Sequence, residues 1–235
     1  MKCSVLEKVN KVRAFRITYK KQQKHMKSFF TLFFGLAFLS SFSQFVGSIE
    51  FKYYTAKDTT LNTYWVKDKK IKLDQYAKRG NAIEGSFIFD LGEKTIKFVN
   101  PKRKVWGDQK SEIPPVMKGK CDVKKSKASK VLNGVKCTEY IVKNTEENTI
   151  ITYYIATESY DFFMPMMELW NRKDKQSIYF GKIKGLSKGS MPFMSEERQI
   201  SDNKMLSKLE MVKITKSEVE PSKLEVPAEY KKFDQ

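Results

Sequence analysis

The side chains best able to do chemistry are few here, and their spacing suits little of it. The only histidine is His25. Beyond it no imidazole remains for a Ser-His-Asp or Cys-His relay, or for the commonest zinc and iron sites. Glu146-Glu147 and Glu196-Glu197 are adjacent carboxylate pairs. Neighbours on a strand point to opposite faces, so both pairs read as solvated charges rather than as an acid and a base flanking one bond. No Ser-x-x-Lys comes with a second supporting motif, and Gly-rich phosphate loops are absent. Cys121 and Cys137 have neither metal-ligand spacing nor a C-x-x-C redox pattern. No catalytic residue, cofactor or metal is expected, and the chain is not read as an enzyme.

What remains is an apolar patch. Phe162, Phe163, Met166, Met167 and Trp170 recur at helical spacing, and Met191, Phe193 and Met194 add to them. Methionine fills irregular space and adapts to varied apolar partners. These eight residues are the candidate ligand-binding set, as a lid or mouth over an apolar cavity. The alternative is a helix packed on a sheet as ordinary core.

The elements that would position this patch are mostly strands. Ile49, Phe51 and Tyr53 alternate with Ser48, Glu50 and Lys52, which is the period of a half-buried strand. Residues 60–66, 70–74, 87–91, 96–98 and 103–106 continue the pattern as an antiparallel meander with one wet face. Residues 107–130 are rich in Lys, Ser, Gly and Pro, and Pro114-Pro115 fits neither helix nor central strand, so the stretch reads as one long connection. Residues 135–143 and 148–156 form a hairpin across 144–147. The segment Tyr160–Trp170 then breaks into a helix with Asp161 as its cap and Pro165 in its first turn. Residues 204–217 make a last long strand, and Pro221 to Gln235 is a polar tail.

The N-terminus carries an export signal. Met26-Lys27-Ser28 is a basic start, Phe29 to Phe42 is an uncharged apolar run, and Ser41-Phe42-Ser43 sets small residues before a cut between Ser43 and Gln44. The run is shorter than the roughly 20 residues of a membrane span, so an integral membrane protein is not expected. Residues 1–25 are polar and basic. They read as a mis-annotated extension upstream of a true start at Met26, with a long native n-region as the alternative. The expected organisation is thus 1–25 extension, 26–43 signal peptide and 44–235 a single domain, exported to the periplasm or secreted. Two cysteines in such a chain predict a Cys121–Cys137 disulfide pinning the Pro-rich connection, with two unpaired, buried thiols as the alternative.

The formal charge is +18, but residues 1–43 hold nine basic side chains and one acidic one, leaving +10 on the rest. A chain of that charge is drawn to anionic surfaces, and a Lys-rich solvated exterior is the plainer reading. Basic residues interleave with aromatics only as any half-exposed strand does, so nucleic acid is not expected.

Five segments carry a resemblance. They are Gly47-Ser-Ile-Glu-Phe-Lys, Gly85-Ser-Phe-Ile-Phe-Asp-Leu, Leu132-Asn-Gly-Val-Lys-Cys137-Thr-Glu-Tyr-Ile-Val, Gly189-Ser-Met-Pro-Phe and Leu224-Glu-Val-Pro-Ala-Glu-Tyr-Lys-Lys. In this order they resemble a family of exported Gram-negative bacterial proteins built on a domain of unknown function. That family is similar to the periplasmic lipoprotein-carrier (LolA-like) fold. The resemblance implies a mainly β domain, a curved antiparallel sheet (half-barrel) with one or two short covering helices, and lipid binding in its cavity. The expected partners are a lipid or apolar ligand and an anionic envelope surface. An envelope interaction protein with no small-molecule ligand is the alternative.

Overall fold

Ile49, Tyr64, Leu73, Phe87 and Phe98 come from five successive strands, yet the register sets them side by side in one row across the sheet. Val66, Ile71, Phe89 and Ile96 form the next row and are buried. Each strand contributes every second residue to this face, as the alternation predicts.

The computed structural model describes residues 44–78 and 82–233. The strands are β1 (Gly47–Thr55), β2 (Thr59–Lys67), β3 (Lys70–Tyr76), β4 (Ile83–Asp90), β5 (Thr95–Asn100), β6 (Val105–Asp108), β7 (Asp122–Leu132), β8 (Val135–Asn144), β9 (Thr149–Ala156), β10 (Met191–Gln199), β11 (Met205–Lys216) and β12 (Lys231–Lys232). The helices are α1 (Phe163–Trp170) and α2 (Lys175–Phe180), with a 3-10 turn at Pro221–Leu224. All twelve strands join in one open, curved sheet, ordered β12-β6-β5-β4-β3-β2-β1-β11-β10-β9-β8-β7. Every pairing is antiparallel except β12 with β6. The fold is mainly β.

The helices cover one face of the sheet, its inner face. α1 buries Phe163, Met166 and Trp170, one stripe of its surface. Trp170 lies 4.9 Å from Phe87 and 5.1 Å from Phe89, ring to ring. Asn171 ends α1 in the left-handed conformation, its N–H on the Met167 carbonyl at 2.8 Å. The expected cap at Asp161 does not form. Phe162 holds the N-cap position with no side-chain bond, and the Asp161 carboxylate lies against Gly189 instead.

Three further expectations are corrected. First, the stretch 107–130 is not all connection, because β7 begins at Asp122. Its sequence shows little apolar alternation because β7 is an edge strand with no fully buried residue, only Val123 and Leu132 resting half-buried against the core. Lysines on such an edge also discourage pairing with another chain. Asn133-Gly134, both at positive φ, turns β7 directly into β8.

Second, Cys121 and Cys137 are free thiols and do not form the expected disulfide. Cys137 pairs with Lys130, whereas Asp122, beside Cys121, pairs with Lys143. That separates the cysteines by about 20 Å along the ladder, against the roughly 4.4–6.8 Å a disulfide needs between Cα atoms.

Third, the polar tail is structured. It leaves β11, buries Val219 and Leu224 on the outer face of the sheet, and sets the Lys223 ammonium 4.0 Å from the Trp65 ring centre. It ends as β12 beside β6, where a Cβ on Gly107 would meet the Phe233 ring at 2.9 Å. Beneath the tail, buried Asp74 accepts from Trp65 Nε1 at 2.9 Å and Ser86 Oγ at 2.6 Å, with Lys72 at 3.4 Å.

The expected extension 1–25 and signal segment 26–43 lie outside the described residues. Gln44, on the far side of the expected cut, donates its amide to the Asp68 carbonyl at 2.8 Å. Among the described residues no helix is long and apolar enough to cross a membrane.

Candidate functional site

Between the inner face and the two helices lies a cavity of about 100 Å³. Its floor is Phe51, Tyr64 and Leu73 from β1–β3 and Leu209 and Met211 from β11. Phe163 and Met167 of α1 and Phe180 of α2 form its roof, and Met191 closes one side. The floor residues are inward positions of the alternation. The roof follows from the turn between α1 and α2, which lays both helices along the same face.

The rim is polar. Asp174 caps α2, accepting from the Ser177 N–H at 2.9 Å, and receives Arg172 Nε at 2.7 Å. The Arg172 guanidinium also stacks 4.5 Å from the Trp170 ring centre. Inside the rim, the Gln176 amide donates to Ser207 Oγ at 2.6 Å and accepts from Ser195 Oγ. Ser207 Oγ in turn donates to buried Glu197 at 2.7 Å. The Tyr153 hydroxyl donates to the Gln176 carbonyl at 2.7 Å. Among the described residues every buried side-chain polar atom has a partner. Burial raises the Tyr53 hydroxyl and pushes Tyr64 up to about 12, so both stay neutral across the physiological range.

Of the residues expected to bind a ligand, Phe163, Met167 and Met191 line the cavity. Phe162, Met166, Trp170 and Phe193 are buried in the surrounding core. Met194 stands apart. It pairs with Tyr154, whose hydroxyl meets Glu139, while the next residue, Ser195, faces Gln176. Alternation therefore puts Met194 on the outer face.

Sequence reasoning missed the rim and α2. The available signal was Asp174 as a cap, with Gly181 as a stop just past Phe180. The expected solvation of both glutamate pairs is also corrected: Glu197 is buried under Ser207, and Glu147 takes the Tyr179 hydroxyl at 2.7 Å. Among the described residues no group of three His, Cys, Asp or Glu sits close enough to hold a metal ion.

No family model and no curated protein matches this sequence. Among solved structures, the chain is similar to an uncharacterized conserved protein from Thermus thermophilus, at 8% identity and a TM-score of 0.49, covering 83% of this chain and 93% of that one. It is also similar to a chain of the Pseudomonas aeruginosa MucA/MucB complex, at 11% identity and a TM-score of 0.45, covering 80% of this chain and 58% of that one. A crystal structure of MucB gives 11% identity and a TM-score of 0.43, covering 78% of this chain and 58% of that one. Scores this low carry no argument about what the chain does.

Proposed function

We propose that this chain is an exported binding protein, periplasmic or secreted, whose curved sheet acts as a half-barrel holding an apolar or lipid-like ligand. The observation that carries the reading is the cavity under α1 and α2, with an apolar floor and roof and a polar rim. Its Gln176, Ser195, Asp174 and Arg172 side chains are already hydrogen-bonded or ion-paired within the protein. A ligand that demanded directional hydrogen bonds would have to break that network, whereas an apolar chain asks only for burial. The Met167 and Met191 side chains give the walls room to adapt. Export rests on the signal-like segment 26–43.

Delipidated protein, with no vesicles present, is expected to take up a fluorescent long-chain fatty acid. Met167→Asp, a charge in the roof, weakens uptake. Leu209→Trp, which fills the floor while staying apolar, does the same. Absence of uptake by the unaltered protein removes the reading.

The alternative, an envelope interaction protein without a small ligand, draws on the cavity's size. About 100 Å³ is small beside the roughly 300–1,000 Å³ of common ligand pockets. Contact through the Lys-rich surface fades as ionic strength rises, while uptake into a cavity persists.

A further inference from the structure

The connection from β6 to β7 joins strands near opposite ends of the sheet, and it is held at two points. At the first, the Glu112 N–H donates to the Trp170 carbonyl at 2.9 Å, and its carboxylate accepts from the Lys173 N–H at 3.0 Å. The Glu112 carbonyl also accepts from the Asn171 side chain at 3.0 Å. At the second, the Lys118 N–H donates to Glu147 at 2.9 Å and its carbonyl accepts from Asn144 at 2.8 Å.

Between the two clamps stands Ile113-Pro114-Pro115-Val116. Ile113 is 83% exposed and Val116 95% exposed, the two most exposed large apolar side chains of the described residues. A hydrophobic pair left in solvent on a loop fastened on both sides of it is not a by-product of core formation. The prolines hold the chain extended there, so the pair does not fold back onto the sheet.

The surroundings are basic. Lys110, Lys118, Lys120 and Lys173 are exposed, and none is in an ion pair among the described residues. The acids near them are mostly committed: Glu112 to the first clamp, Glu147 to the second, Asp174 to Arg172 and Asp108 to Lys232, while Glu146 lies against Gly119. Residues 107–125 themselves hold five lysines and three acids, Asp108, Glu112 and exposed Asp122.

We infer that this loop docks the protein on an anionic phospholipid bilayer, with Ile113 and Val116 entering the interfacial layer and the lysines resting on the head groups. Two side chains present too little surface for a stable protein–protein interface, which buries roughly 1,200 Å² or more. They suit a bilayer, where small apolar insertions add to the attraction of basic residues for anionic lipid. The first clamp holds the 171–173 turn, so docking brings the Arg172 rim of the cavity to the membrane. The inference stands on the loop itself and does not require the cavity to bind anything.

The test is hydrogen exchange on the full chain, without probe, in the presence of vesicles. Phosphatidylcholine vesicles with and without phosphatidylglycerol are compared. The Ile113, Val116 and Met117 amides make no hydrogen bond in the described residues, so they start unprotected. A local readout also separates this loop from any lipid contact made by the apolar run Phe29–Phe42. On vesicles containing phosphatidylglycerol these amides slow by about tenfold or more, and on phosphatidylcholine alone they do not. Ile113→Asp with Val116→Asp abolishes the protection while leaving the unfolding midpoint unchanged, since both side chains are already in solvent. Lys118→Glu with Lys120→Glu weakens it. Unchanged exchange at 113–117 on both vesicle types, as expected if the loop meets a protein partner instead, overturns the inference.

Discussion

The Tyr179 hydroxyl donates to Glu147 Oε2 at 2.7 Å, and this contact ties the β8–β9 turn to the roof helix α2. Lys118 N–H takes the other carboxylate oxygen at 2.9 Å, and Lys175 lies 3.4 Å away. One side chain thus fastens the β6–β7 loop and the roof together.

Burial alone would raise the Glu147 carboxyl, but the Tyr179 and Lys118 donors and the Lys175 charge outweigh it and hold it below its ordinary value of 4.5. A depressed carboxyl stabilises the fold fully above that ordinary value and loses its contribution as pH falls through the lower folded one. The Lys118 amide, which Glu147 holds, should therefore lose protection on acidification in that low window. Glu147→Gln should cost about 1–3 kcal/mol at neutral pH and flatten the acid step. An unaltered acid profile in the variant would contradict this role.

Gln176 joins Ser195 and Ser207 within the cavity rim. Gln176→Leu leaves both hydroxyls short of a partner, and denaturant unfolding should show a loss of about 1–3 kcal/mol. The same change makes the wall more apolar, so fatty-acid uptake should be kept or strengthened. Opposite signs in the two measurements distinguish a binding wall from a purely structural network.

Cys121 and Cys137 should both alkylate in denatured, unreduced protein. In the folded protein Cys137 should react far more slowly, because burial pushes its thiol up to about 11 and only the thiolate is a good nucleophile. Detection of a 121–137 crosslink by mass spectrometry would contradict the strand register.

Leu224 is buried under the tail on the outer face. Leu224→Ala should destabilise the domain by about 2–3 kcal/mol and raise exchange through β12, because the tail loses its central anchor. If only the 3-10 turn responds, the tail is two independent attachments rather than one strap.

Most strands were legible because Ile49, Phe51, Ile71, Leu73, Phe87 and Phe89 alternate cleanly, and one buried face leaves a period-two record. β7 left almost none, since only Val123 and Leu132 near its ends touch the core and no residue of it is fully buried. α1 showed in the spacing of Phe163, Met166 and Trp170. α2, six residues long, has too few turns to make a stripe, and only its cap at Asp174 marked it. The roof of the cavity was therefore partly visible, through Phe163, Met167 and Met191. Its floor could not be assigned, because Phe51 and Met211 meet only through β1 pairing with β11, a contact that no local pattern encodes. The cysteine pairing failed for a related reason: an even count says nothing about register.

That pairing of β1 with β11 has a bearing on how the chain assembles. β1 reaches the hairpin of β2 at once, but its other edge has no partner until residues 205–216 have been made. A chain appearing from its N-terminus carries six paired strands, β1–β6, with the future centre of the sheet facing outward as a bare edge. Such long-range closure is slow, and an unpaired edge is a template for aggregation while it lasts. The most deeply placed seam in the finished protein is thus its most vulnerable line during synthesis, when a holdase would have most to protect.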